Sequence, residues 1–249
     1  MQRLLSLNSC RVMKLPRSLK NTDLRCFDMD FSPFWISIKV AACATAITFA
    51  AGLAAARLVM LMKRGKGIVD GLFSLPMVLP PTVVGFFLLM IFGTNGMLGS
   101  LLASIGMSVV FTWQGAVIAA AAVSFPIMYR TARGALEQVD ENLINAGRTL
   151  GMSESRIFFK ILLPMSRPGI AAAAILSFAR ALGEFGATMM LAGNIPGRTQ
   201  TMSIAIYTAM QGGNREKAYV WVAVIMAMSF GVMILMNLWN DRQNRRKKI

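Results

Sequence analysis

Residues 145–164, which read NAGRTLGMSESRIFFKILLP, form a polar interruption between two strongly apolar parts of the chain. Asp140, shortly before them, is a typical residue for the start of a helix, because its carboxylate complements the exposed N–H groups there. Gly151 follows the apolar positions of this helix and accepts a positive φ, so it predicts the end of the helix. Ser153 is a candidate cap for a second helix. The stretch therefore predicts two short helices joined by a sharp bend.

The predicted helix pair is amphipathic, with Arg148, Arg156 and Lys160 among its apolar residues. A small amphipathic unit of this kind suits a groove on another protein. A hairpin lying on a membrane surface without a protein partner is the alternative that this spacing leaves open.

Outside this stretch the composition is that of an all-α integral membrane protein. Of the 249 residues, 55% are hydrophobic, and no Asp, Glu, Lys or Arg occurs between Gly71 and Tyr129. Spanning a bilayer requires about 20 apolar residues. We predict about five transmembrane helices in a membrane domain at 29–240, near residues 34–62, 70–93, 113–136, 165–193 and 217–240, with the polar loop at 138–164. Residues 97–110 are apolar but too short to cross, and they predict an interfacial or re-entrant segment.

The net charge of +15 is distributed as in a membrane protein rather than a nucleic-acid-binding one. Basic residues cluster at 63–66, around the loop at 138–164, and in the tail at 241–249. These are alternate connections, so the positive-inside rule predicts that the loop and the C-terminus are cytoplasmic. A basic tail that binds anionic lipid is compatible with this topology.

The basic segment at 1–28 conflicts with this topology, since five spans ending inside require an external N-terminus. It lacks the apolar run of a secretory signal. We expect that translation starts at Met29 and that residues 1–28 come from an over-extended reading frame.

The sequence offers no catalytic centre. It has no histidine, which is the commonest general base and metal ligand. It also lacks the glycine-rich phosphate loop of ATPases. Only 11 residues are acidic, and the methionines are typical of adaptable packing rather than of a metal site. We therefore expect no enzyme activity, no cofactor and no metal.

Arg180 and Glu184 are charged residues inside a predicted span, four positions apart, and we expect them to share one helix face. A charge in the hydrocarbon region is costly and is kept mainly when it is paired or faces water. The pair either stabilises helix packing or lines a polar translocation path or its gate, beside Phe185. Gly183 and Gly186 would let neighbouring helices approach closely.

Prolines interrupt two of the predicted spans. Pro76, Pro80 and Pro81 are expected to break the second span, and Pro126 the third. Broken helices are typical of places where a solute passes, although kinks that serve packing alone are equally compatible. We expect Pro80 and Pro81 to face the Arg180–Glu184 helix across a shared lumen.

Several stretches of this sequence resemble the permeases of ABC (ATP-binding-cassette) importers. The spacing from Gly151 to Pro164 resembles the loop by which such permeases dock onto their ATPase subunits. Further similar blocks are LPMVLPPTVVG at 75–85, FTWQGAV at 111–117, the stretch 180–188 and NIPGRT at 194–199. They are similar to the oxyanion branch, and most of all to molybdate permeases, while sulfate and tungstate permeases share much of the pattern.

The resemblance implies the type I importer permease fold in a bacterial cytoplasmic membrane. It further implies a homodimer around one pathway, two cytoplasmic ATPase subunits and an extracytoplasmic molybdate-binding protein. The residues that it assigns to ATPase docking are Asn145, Ala146, Gly147, Gly151, Ile161, Leu163 and Pro164. Asn145 and Gly147 depart from the glutamate and alanine that are usual there, so the docking role is carried over without any particular ion pair. A channel or secondary transporter, and a membrane scaffold, are the alternatives from other classes.

Overall fold

The structure, a computed structural model, describes residues 30–246, with side chains up to residue 238. The segment at 1–28 lies outside the described residues. Helices make up this part of the chain, and it contains no strand. They are α1 (Ser32–Leu61), α2 (Lys66–Val78), α3 (Pro81–Phe92), α4 (Met97–Ser104), α5 (Trp113–Glu137), α6 (Glu141–Thr149), α7 (Glu154–Ile157), α8 (Leu163–Met165), α9 (Arg167–Leu182), α10 (Gly186–Leu191), α11 (Met202–Gln211) and α12 (Arg215–Arg246). A π-helical turn, Phe158–Leu162, connects α7 to α8.

Helices α1, α5 and α9 form the centre of the fold, and they pack closely because small residues line their contacts. A Cβ atom added at Gly52 of α1 would lie only 2.8 Å from Cγ of Met128 on α5. The Thr48 and Ser177 hydroxyls are 3.0 Å apart and join α1 to α9 by a buried hydrogen bond. Ser37 Oγ accepts the backbone N–H of Met202, 2.8 Å away, and so holds α11 against α1.

Helices α1, α5 and the Arg215–Leu238 part of α12 are long and apolar enough to cross a membrane. Two bent pairs bring the number to the predicted five only when each pair is counted as one span. Helices α2 and α3 meet at 110°, and the pair Glu154–Met165 and Arg167–Leu182 meets at 74°. The predicted fourth span at 165–193 is also interrupted after Leu182, before α10 begins.

The predicted proline breaks are confirmed at one place and wrong at two others. Leu79 and Pro80 are both extended, with ψ of 142° and 138°, because each precedes a proline and is thereby kept out of the helical region. Pro76 lies inside α2 and Pro126 inside α5, and both helices continue through them. Pro126 is buried among the surrounding helices, and α5 remains one continuous helix through it.

Candidate functional site: the coupling loop and the broken helices

The loop at 138–164 is called the coupling loop below, after the docking role that the resemblance implies for it. It begins with the helix that its sequence predicts. The Asp140 carboxylate accepts the backbone N–H of Asn142, 2.9 Å away, and caps α6. At the other end Gly151 has φ of 72°. Its N–H donates to the Arg148 carbonyl, and that of Met152 donates to the Gly147 carbonyl. This pair of bonds is the Schellman arrangement, which ends a helix and turns the chain sharply.

The second half of the coupling loop folds back onto the first. The Ser153 hydroxyl accepts the N–H of Arg156 and caps α7, as predicted. The π-helical turn then brings Ile161 over α6, where a Cβ atom on Gly147 would lie 3.0 Å from its Cδ1. Gly147 is buried at this crossing. Its lack of a side chain therefore lets the two halves of the loop touch.

One side of the coupling loop is buried in the helix bundle. Ile157, Phe158 and Leu162 belong to the same apolar cluster as Val59 of α1 and Leu136 of α5. Ile161, Leu163 and Pro164 are half-buried at its edge. The loop therefore packs directly on α1 and α5, and a displacement of the loop would press on both helices, since packed interiors resist deformation.

The other side of the coupling loop is exposed. Asn145 and Ala146 are exposed on α6, Leu150 at its end is 81% exposed, and Phe159 of the π-helical turn is 59% exposed. Large apolar side chains exposed on a polar loop are typical of a protein interaction surface. Of the predicted docking residues, Asn145, Ala146 and Gly151 are therefore exposed, Gly147 is buried where the two halves of the loop cross, and the three at 161–164 are half-buried.

An ion pair closes the bend of the loop. Arg148 Nε lies 2.7 Å from Glu154 Oε1, and Arg148 Nη1 donates to Asn145 Oδ1, 3.1 Å away. The hydrogen bond from Arg148 lowers the pKa of the Glu154 carboxyl. Asn145 therefore contributes a side-chain contact to the bend.

Arg57 of α1, which the sequence analysis did not single out, fastens the coupling loop to the bundle. Its Nη2 donates to Ser155 Oγ, 2.8 Å away, and its guanidinium lies 4.6 Å from the ring centre of Phe158. A second ring, that of Phe159, is 5.7 Å away. The available signal was an arginine near the end of a predicted span whose only other charged residue is Lys39.

A second contact network joins α2 to α5 and was also missed. Asp70 Oδ1 accepts the Tyr129 hydroxyl at 2.8 Å and Arg133 Nη1 at 2.7 Å. Arg133 also binds Glu137, which in turn contacts Lys66 at 3.2 Å. Asp70 is the last charged residue before the long uncharged part of the sequence. That position was the signal that could have indicated its contact with α5.

At the far end of α9, Arg180 and Glu184 form the predicted ion pair, but not on one continuous helix. Arg180 Nη1 is 2.7 Å from Glu184 Oε2, while α9 already ends at Leu182. Glu184 Oε1 accepts the backbone N–H of Ala187, 2.9 Å away, in the first turn of α10. Glu184 thus bridges the break between the two helices. Its side chain is 2% exposed, and that of Arg180 is 31% exposed.

The two helix breaks touch each other within the chain, and the lumen predicted between Pro80–Pro81 and the Arg180–Glu184 helix stays a prediction. A Cβ atom on Gly186 would lie 3.1 Å from Cβ of Pro81, and one on Gly85 would lie 2.8 Å from Cα of Ala187. Glycine is needed at both places for this close packing of α3 on α10. Gly183, by contrast, approaches no neighbouring helix. The break between α2 and α3 leaves Pro80 exposed.

Phe185, the remaining predicted gate residue, is half-buried at the α9–α10 break, with its ring centre 5.2 Å from that of Tyr207 on α11. The structure therefore brings together Pro81, the Arg180–Glu184 pair and Phe185 around adjoining breaks. It keeps the coupling loop separate, at the opposite end of α9.

Residues 47–249 match the family of binding-protein-dependent transport system inner membrane components. The chain belongs to this family. Its members are inner-membrane transport subunits, so the prediction of a transport subunit rather than an enzyme is confirmed.

Two relatives of this inner membrane component are molybdenum transport permeases. A putative molybdenum transport system permease protein of Bacillus subtilis is 44% identical over 202 residues, which cover 80% of this chain and 89% of that protein. The molybdenum transport system permease protein ModB of Escherichia coli K12 is 40% identical over 222 residues, which cover 88% and 97%. The sulfate transport system permease protein CysT of the same strain is 36% identical over 182 residues, which cover 73% and 66%.

Solved structures of ABC transporters share the fold of this inner membrane component. The inward-facing methionine transporter MetNI matches with a TM-score of 0.67 at 18% identity, covering 84% of this chain and 94% of that chain. A bacterial importer of alginate matches with a TM-score of 0.66 at 15% identity, covering 86% and 80%. The predicted fold class, an all-α membrane protein with the type I ABC importer permease fold, is confirmed.

Proposed function

We propose that this chain is the permease subunit of an ATP-driven importer that carries molybdate across the bacterial cytoplasmic membrane. The observation that carries the proposal is the near full-length match to molybdenum permeases, at 44% and 40% identity. The sulfate permease matches at lower identity and over less of its own length. Sulfate and tungstate are the alternative cargoes, because both are tetrahedral oxyanions like molybdate.

The coupling loop is the proposed docking site for the ATPase. Its exposed face, with Ala146, Leu150 and Phe159, would enter a groove on that subunit. Its buried face, with Ile157 and Phe158, would pass the movement of the closing ATPases to α1 and α5. The exposed apolar side chains and the rigid bend at Gly151 support this division of roles.

The assembly would contain two copies of this permease, two ATPase subunits on the cytoplasmic side and a molybdate-binding protein on the outer side. The basic residues at 63–66, around the coupling loop and at 241–249 support a cytoplasmic C-terminus. The pathway or its gate would involve Pro80, Pro81, Arg180, Glu184 and Phe185. Because Pro81 packs against the start of α10, beside the Arg180–Glu184 pair, the pathway is expected to run along the exposed side of these breaks, between the copies.

The function is tested in a deletion strain grown at limiting external molybdate, with cellular molybdenum and sulfate uptake measured together. We expect low cellular molybdenum that returns when molybdate is in excess, with sulfate uptake unchanged. Loss of sulfate uptake with normal molybdenum would transfer the chain to the sulfate permeases. No change in either anion would contradict the import function.

A competition experiment in the complemented strain separates molybdate from tungstate. Uptake of labelled molybdate is measured against increasing unlabelled molybdate, tungstate or sulfate. We expect unlabelled molybdate to compete at the lowest concentration. Competition by tungstate at a concentration lower than that of molybdate would identify tungstate as the preferred cargo.

A further inference from the structure

The open face of α9 differs in composition from the open face of α12. On α9 the small Ala179 and one large apolar residue, Leu176, are exposed, and the partly exposed Arg180 lies on the same face at helical spacing. Gly183, directly after the helix, is exposed as well. On the membrane-spanning part of α12 the exposed positions include large apolar residues, such as Met226 and Phe230. Large apolar side chains suit contact with lipid tails, whereas an arginine placed there is costly. The open face of α9 therefore fits a polar space better than it fits lipid.

From this placement we propose that the Arg180 guanidinium binds the permeating tetrahedral oxyanion, and that Glu184 holds the guanidinium in place when no anion is present. The proposal rests on the import function proposed above and adds a named contact for the cargo. Arg180 is the partly exposed partner of the pair and Glu184 the buried one. An anion arriving along the open face of α9 would therefore reach the cation first.

The hydrogen bonds of the pair fit these different roles. Glu184 uses one oxygen for Arg180 and the other for the N–H of Ala187, so the start of α10 fixes its position. A guanidinium carries five N–H donors in a planar fork and contacts Glu184 through Nη1. Its remaining donor capacity suits the oxygens of an oxyanion, which arginine binds in a bidentate manner.

Glu184 would also keep the anion from binding too tightly. Transport requires that a site attract the ion and then release it. The carboxylate neutralises Arg180 and competes with the oxyanion for its donors, so the anion is held briefly. Replacing the carboxylate by a neutral amide is then expected to lengthen the retention of the anion.

The alternative is an ion pair that only stabilises the break between α9 and α10. A neutral pair, Arg180→Met with Glu184→Gln, distinguishes the two roles. Glutamine retains an oxygen for the Ala187 N–H, and methionine retains an unbranched side chain, so the break is preserved. The double variant and wild type are reconstituted in proteoliposomes with their ATPase and binding protein, and uptake of labelled molybdate is measured.

If Arg180 binds the anion, the double variant should assemble normally but import molybdate at least about tenfold more slowly, which corresponds to the loss of one modest contact. Arg215→Met, which removes an exposed cation at the start of α12, should import at the wild-type rate. Wild-type uptake by the double variant would overturn the proposal.

Two single variants keep the test decisive if the double variant assembles poorly. Arg180→Lys keeps the charge but loses the planar fork, so it should assemble and import slowly. Glu184→Gln should retain more labelled molybdate on the permease–ATPase complex purified without the binding protein. Full import by Arg180→Lys together with unchanged retention in Glu184→Gln would also overturn the proposal.

The wild-type control separates this proposal from the proposed function. If the wild-type assembly imports sulfate instead of molybdate, the cargo is wrong, and the same variants test Arg180 with labelled sulfate. If it imports neither molybdate nor sulfate nor tungstate, both proposals fail.

Discussion

Replacing Gly151 by valine should weaken the docking of the ATPase without unfolding the permease. Gly151 has φ of 72°, and a Cβ atom added there would meet nothing within 4 Å. The substitution therefore creates no clash, and its whole cost lies in the backbone. A side chain with a Cβ atom in this left-handed conformation costs about 1–2 kcal/mol, and a β-branched residue is especially unfavourable there.

That cost sets the size of the effect on docking. If the ATPase binds only the bent loop, its apparent affinity falls with the population of the bent loop. An energy of 1–2 kcal/mol corresponds to a decrease of up to about 5–30-fold. Gly151→Asn should change the affinity much less, because asparagine tolerates this conformation.

The assay titrates the purified permease with its ATPase and measures the dissociation constant. Gly213→Val is the matched control, since Gly213 also has φ of 72° with open space around it, but lies between α11 and α12. It should carry the same backbone cost and leave docking unchanged. An unaltered affinity for the Gly151→Val permease, or an equal loss for both valine variants, would refute the reasoning.

Three further substitutions test contacts within the chain. Arg57→Ala removes a hydrogen bond to Ser155 and a cation–π contact, each worth about 1 kcal/mol. The ATPase should still co-purify, but the amount of anion imported per ATP hydrolysed should fall, with partial recovery in Arg57→Lys. Gly85→Val places atoms within 2.8 Å of Ala187, and the melting temperature should decrease because overpacking costs about 1–3 kcal/mol. Tyr129→Phe removes a hydroxyl that donates to the Asp70 carboxylate. It should lower the free energy of unfolding of the purified permease in denaturant by about 1 kcal/mol. An unchanged unfolding transition would exclude a stabilising role for this hydrogen bond.

The local structure of the coupling loop could be predicted because each signal acts over a few residues. Asp140 and Ser153 cap helices through N–H groups two and three residues further along. Gly151 ends α6 because its own conformation is the one that the turn requires. Such features depend little on the rest of the molecule, so the sequence pattern was sufficient for them.

The effect of the prolines could be predicted only in part. Leu79 and Pro80 each precede a proline, so both are kept out of the helical region. Two such residues in succession break the helix between α2 and α3. A single proline only removes one hydrogen bond and crowds the preceding turn. Whether Pro126 breaks α5 therefore depends on the helices that surround it, and these are not visible in the local sequence.

By itself the sequence determined that this is an all-helical membrane protein. It also determined the position of the bend in the polar loop and the class of permeases that the chain resembles. These properties follow from composition, helix signals and the ordered blocks of similar residues. Only the tertiary structure decided that Arg57 holds the coupling loop through Ser155, 98 residues away, and that Pro81 packs against Gly186. The physical reason is that such contacts depend on how helices cross, and residues distant in the chain leave no periodic pattern that reports their proximity.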